Sequence, residues 1–255
     1  MRSELAWLDF LERGELKPWR NQLSDIEKEG SAAASRVAFR LVWCALAAHD
    51  REAAARALTF IPPEGVVDVR SNALFPREWL VGLVARSFGD KAGAQTAFTA
   101  ARPILERMTV AQPEYAPAWS LLGTIDAALG RKENAIREGR HACELLPVSK
   151  DSWEGTSWVT NLATIYAWIG ENDAALQQLE NSAGNFGVAY GELKLFPFWD
   201  SLRSDPRFDQ IVASLAPKDE AGGRGGDRET LQGQRVGQRP LVALRANLVF
   251  VPRVD

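Results

Sequence analysis

The chain has 255 residues, of which 46% are hydrophobic and 25% charged, with 20 Gly and 13 Pro; this composition excludes wholesale disorder, collagen and a disulfide-stapled miniprotein. Two cysteines, Cys44 and Cys143, and two histidines, His49 and His141, are too few for a four-cysteine zinc site or a histidine-rich active site, and they fit a reducing compartment. A formal charge of −3 favours neither nucleic acid nor an anionic membrane.

The amino terminus, MRSELAWLDF, lacks a signal-peptide core, and no apolar run approaches the ~18 residues of a membrane helix, so the expected location is cytoplasmic. Residues 1–30 predict a helical cap built from ELAWLDFLERG and PWRNQLSDIEKEG, with Pro18 in a first turn. Trp7, Leu8 and Leu11 would face the body, leaving Glu4, Asp9, Glu12 and Arg13 wet.

Residues 31–187 then repeat themselves. VAFRLVWCALAAHDREAAARAL, WLVGLVARSFGDKAGAQTAF, WSLLGTIDAALGRKENAIREGRHACELLP and VTNLATIYAWIGENDAALQQLE each carry apolar residues at three- and four-residue steps, which predicts paired helices and no convincing strand. Gly89-Asp90, Gly130-Arg131 and Gly170-Glu171 divide the pairs, because glycine takes the left-handed conformation that ends a helix. The alanines opening each second helix, Ala54, Ala94, Ala135 and Ala175, are spaced 40, 41 and 40 apart. Gly82, Gly123 and Ala163 are small where a partner helix must come close. Extra length collects in IPPEGVVDVRSNALFP, RPILERMTVAQPEYAP and LPVSKDSWEGTS.

Residues 188–217 predict closing helices: Asp205-Pro206 starts a helix whose stripe of Phe208, Ile211, Val212 and Leu215 can seal an open end. Residues 218–255 form a Gly/Arg-rich tail with seven basic against five acidic residues, expected to be flexible; its last stretch, LVALRANLVFVPRVD, is open to a strand, a sticky segment or an appended fragment. A single GGRGG cluster without interleaved aromatics is no RNA-binding signal.

The segment holding Trp119, Leu122, Gly123, Ala135, Ala142 and Pro147 resembles a tetratricopeptide repeat, as does the copy holding Leu162, Ala163, Tyr166, Ala175 and Leu179. The family period is about 34 residues, so each unit here carries roughly six or seven more. Asp126 and Gly139 stand where the family has tyrosine and a large apolar residue, which implies weakened packing. LKLFPFWDSLRSDPRF resembles the closing module of bacterial tetratricopeptide proteins, many of which carry a serine/threonine kinase, nucleotide cyclase or winged-helix domain. The resemblance spans about residues 30–216. It implies an all-α, right-handed α-solenoid of about four helix pairs with helical caps at both ends, and Trp119 filling a gap between repeats.

Chemistry is sparse. There is no GxxxxGK[ST], HExxH, GxSxG or dinucleotide fingerprint, and no metal, cofactor or catalytic residue is expected. His141 and Cys143 are two apart on a helix and point to different faces. Carboxylate pairs such as Glu133 with Glu138 read as solvated faces, and Cys44 as a small core residue.

In the family the first helix of each pair lines a concave groove. Its offsets fall on Arg36, Phe39 and Trp43, then Trp79, Leu83 and Arg86, then Ser120 and Thr124, then Thr160, Thr164 and Trp168. The implied function is noncatalytic binding of a peptide or helical segment of a protein partner, with tryptophans as anchors. The alternative for Trp43 and Trp79 is burial under the amino-terminal helices or the inserts. The family's carboxylate clamp is unmatched apart from Asn161. An alternative function is that of a regulatory region of a signalling protein whose effector domain is absent. Oligomeric state stays open.

Overall fold

A computed structural model describes residues 2–68, 73–152, 154–183 and 187–217. The tail expected to be flexible, 218–255, and Trp153 lie outside the described residues. The fold is overwhelmingly helical, in agreement with the all-α expectation. The cap region gives α1 (Arg2–Arg13) and α2 (Leu16–Lys28). The body gives α3 (Ser31–Arg36), α4 (Ala38–Ala47), α5 (Arg51–Thr59), α6 (Arg77–Ser87) and α7 (Lys91–Ala111), then α8 (Ala116–Ala128), α9 (Lys132–Leu145), α10 (Glu154–Trp168) and α11 (Asn172–Ser182). The closing region gives α12 (Tyr190–Leu195), a 3-10 turn (Pro197–Trp199) and α13 (Pro206–Leu215). Among the described residues, no helix is long and apolar enough to cross a membrane.

One turn is built four times. Gly89, Gly130 and Gly170 have φ of +76°, +76° and +82°, and His49 occupies the equivalent place at +52°. The next residue's N–H reaches back five positions each time: Asp50 to Ala45 O, Asp90 to Ala85 O, Arg131 to Asp126 O and Glu171 to Tyr166 O. This is the Schellman closure, which satisfies carbonyls left over at a helix end. Asp50 and Asp90 then cap the following helix through the N–H groups of Ala53 and Gly93, both at 2.9 Å. The helices flanking each turn pack on each other as α4 with α5, α6 with α7, α8 with α9 and α10 with α11.

Small residues set how closely these helices approach. A β-carbon on Gly123 would come within 2.8 Å of Ile165 Cδ1, and one on Gly139 within 2.7 Å of the same atom. Gly139 is therefore the socket for Ile165, rather than a packing defect. Asp126 is no defect either. Fully buried, it holds the Arg102 guanidinium of α7 at 2.6 and 2.9 Å, which is the compensation a buried carboxylate requires.

The inserts take two forms. The first contains a two-stranded antiparallel hairpin, β1 (Val66–Asp68) and β2 (Ala73–Phe75), with Val66 opposite Phe75. No strand was expected there, because three residues are too few to display an alternation. It is held to the body by the Leu74 N–H, which donates to the Tyr115 hydroxyl at 3.2 Å. The second insert lengthens α7 to 21 residues, running through Pro103.

The first helix and the closing helices meet. α12 packs on α1, while α13 packs on α11 and α12. Phe208 and Ile211 are buried, as the apolar stripe of the closing helix requires. Leu8 is buried, and the partly buried Trp7 and Leu11 pack against a core shared with the carboxy-terminal module. A continuous chain of ring contacts results. It runs from Trp19 and Trp7 through Phe10 to Phe196 and Trp43, and thence through Phe39 and Phe75 to Trp79. A branch from Phe196 through Phe198 reaches Trp168 and Phe98.

Candidate functional site

The face expected to be a groove is sorted by the structure into three groups. Trp79, Leu83, Ser120, Thr124 and Thr164 are interior. Trp79 is only 5% exposed, and its indole N–H donates to Thr124 Oγ1 at 3.0 Å. The Thr124 hydroxyl donates in turn to Leu121 O at 2.8 Å. An anchor already packed on Phe75 and bonded to a neighbouring helix has no free face for a ligand. Of the two readings for Trp79, the structure thus gives burial.

Phe39, Trp43, Arg86 and Trp168 form the second group. They are half-buried; Trp43 meets Phe196 and Phe198 of the closing module and Trp168 meets Phe198, while Phe39 packs on Trp43 and Arg86 lies over Trp168. The Trp43 ring centroid lies 5.4 Å from both phenylalanines. The Arg86 guanidinium sits 4.2 Å over the Trp168 ring, a cation–π geometry. Desolvation pulls the Arg86 pKa below its ordinary value. The inserted segment is fixed by backbone acceptors: His49 Nε2 lies 3.1 Å from Leu195 O, and Arg203 donates to Phe196 O at 3.0 Å and Leu193 O at 3.3 Å.

Arg36 and Thr160 make the third group. Arg36 is exposed and ends α3, a separate helix from the one bearing Phe39 and Trp43, because Val37 breaks the helix at φ −117°, ψ 12°. Thr160 and Thr164 spend their hydroxyls on Thr156 O and Thr160 O of their own helix, at 3.1 and 3.2 Å. Buried Ser120 accepts from Asn161 Nδ2 at 3.0 Å. The hydroxyl-rich end is therefore self-satisfied, with Asn161 and Thr160 at its edge. Phe196 and Phe198 were not among the residues expected at this face. The run LFPFW carried the signal for both, being an aromatic cluster with no helical spacing of its own.

Trp119, expected to fill a gap between repeats, is only partly buried and joins none of the apolar core clusters among the described residues. Its N–H donates to Pro113 O at 2.8 Å and its ring stands edge-on to His141 with centroids 4.8 Å apart. With Ile136 and Arg140 these rings line an open depression of about 610 Å³. Glu138, expected on a solvated face, is buried. Burial raises the thiol pKa of Cys44 to about 12 and of Cys143 to about 11, so neither supplies a thiolate nucleophile near neutrality. Among the described residues, no group of three or more His, Cys, Asp and Glu gathers to hold a metal ion. No family model matches the chain, and neither the curated proteins nor the solved structures contain a significant match to it.

Proposed function

We propose that the chain is a noncatalytic protein-interaction module of the tetratricopeptide type, a right-handed solenoid whose first helices, α4, α6, α8 and α10, bind a peptide or helical segment of a protein partner. The observation that supports this is the fourfold Schellman turn at residues 49, 89, 130 and 170, which repeats with the same step as Ala54, Ala94, Ala135 and Ala175. A helix pair of this kind cannot bury its own apolar face, so the units stack and leave one extended face for recognition.

The aromatic end of that face is already filled by Phe196 and Phe198. Binding is therefore assigned to the edge where Arg86 covers Trp168, with Thr160 and Asn161 beyond it on α10. Arg86 offers a planar array of donors with no ion pair among the described residues, and Trp168 offers an apolar ring beside it.

The test is affinity capture from the source lysate with the full chain, comparing wild type with Arg86→Ala and with Trp119→Ala. Capture reduced at least about tenfold by Arg86→Ala, corresponding to ~1.4 kcal/mol, and retained by Trp119→Ala supports the reading. Capture indifferent to Arg86→Ala removes this face as the binding site.

A further inference from the structure

Glu138 projects from α9 into the junction with α7 and α8, where 2% of its surface is exposed. Its Oε1 has one long contact, 3.5 Å from Arg137 Nη2, and its Oε2 has no hydrogen-bond partner. A buried carboxylate oxygen without a donor is costly, and the cost disappears when the group takes a proton and becomes neutral.

The cations facing it are committed elsewhere. Arg102 of α7 gives Nε and Nη2 to Asp126 of α8, and Nη1 to Glu106. Arg131, in the turn between α8 and α9, is 3.9 Å from Asp126 and half-exposed, and Arg137 is mostly exposed. On the far side of α9, α10 brings Leu162 and Ile165 against Gly139, and the Tyr166 hydroxyl accepts from Arg140. Glu138 is thus the one carboxylate of this junction that lacks a well-formed partner, and it lies beside another, Asp126.

We propose that Glu138 is a proton-operated switch: neutral in the tightly packed α7, α8 and α9 junction, and loosening that junction when it ionises. Burial, reinforced by the Asp126 carboxylate, raises its pKa to about 7. The folded chain therefore holds a proton that the unfolded chain releases at ordinary glutamate pH. The stabilisation is fully present below the unfolded pKa, is lost as pH rises through that value to about 7, and stays lost above it. The switch is independent of whether a peptide binds the opposite face.

Urea unfolding of the full chain from about pH 5 to about pH 8 tests it, with Glu138→Gln as the neutral isostere. The unfolding equilibrium constant of wild type, relative to that of the variant, is expected to rise roughly ten- to a hundredfold over that range. Parallel pH profiles for the two proteins would overturn the proposal. Should Glu138→Gln fail to fold, the ¹³C-carboxyl resonance of Glu138 in wild type decides instead. A midpoint near neutrality supports the switch, and a midpoint at the ordinary glutamate value overturns it.

Discussion

Phe10 belongs to the first helix and Gly191 to the closing helix α12, and the Phe10 carbonyl oxygen occupies the space where a β-carbon on Gly191 would stand. The closing helix α12 can lie on α1 only because residue 191 has no side chain. Gly191→Ala is accordingly expected to destabilise by about 1–3 kcal/mol, the usual cost of forcing atoms into a packed contact. Thermal melting checks the size. Hydrogen exchange checks the place: protection should fall in both α1 and α12, and a loss confined to α12 would contradict the contact.

His49 is the odd member of the four turns. It holds φ of +52° where the others use glycine, and its ring lies 3.1 Å from Leu195 O. A left-handed conformation costs an ordinary L-residue roughly 1–2 kcal/mol, and an exposed hydrogen bond returns about 0.5–1.5 kcal/mol. The two nearly cancel, so His49→Gly is expected to leave stability within about 1 kcal/mol of wild type. His49→Val, β-branched and without the bond, is expected to cost about 2 kcal/mol or more. Equal melting temperatures for the two variants would refute the left-handed assignment.

How far the sequence revealed this arrangement depends on what each pattern encodes. Gly-Asp, Gly-Arg and Gly-Glu announce three of the turns because glycine is the residue such a turn prefers, whereas His49 hides the fourth. The apolar stripe of α13 is visible as spacing, but spacing says that a face is covered without saying by what. The docking of α12 on α1 and of Phe196 and Phe198 on Trp43 was for that reason not legible. The burial of Glu138 was legible in principle. It falls on the stripe Ala135, Glu138, Gly139 and Ala142, all buried, and only its charge argues for solvent. Asp126 likewise continues the stripe of Leu122 and Gly123, and its partner Arg102 lies 24 residues away on another helix, beyond the reach of local pattern.

The Arg102–Asp126 pair carries a prediction with two readouts. Removing one member of a buried, bidentate pair strands the other, at roughly 3–5 kcal/mol. Asp126→Ala is expected to lose that much in urea unfolding. Asp126→Asn, which keeps the shape and part of the bonding, should lose less. Because Asp126 also raises the Glu138 pKa by its charge, the ¹³C-carboxyl midpoint of Glu138 should move down in Asp126→Asn. An unmoved midpoint would mean that the two carboxylates do not feel each other.

The aromatic residues give a ranking that reverses the one implied by the repeat pattern. Trp119 stands where the sequence resemblance puts a core residue, yet it is half-exposed, while Phe196 is buried against Phe10, Trp43 and Phe198. Truncating a buried aromatic removes its transfer energy and leaves a cavity, together about 3–5 kcal/mol. A half-exposed ring that gives up one face and one hydrogen bond to Pro113 O loses about 1–2 kcal/mol. Phe196→Ala should therefore melt well below Trp119→Ala. Since Phe196 joins the first helix pair to the closing module, its loss should also expose the α4 tryptophan, Trp43, to solvent. A red shift in tryptophan emission under native conditions, present in Phe196→Ala and absent in Trp119→Ala after allowance for the deleted ring, is the signature expected. The opposite order of stability would place the core at Trp119 and leave the packing of the closing module on α1 and α4 without energetic weight.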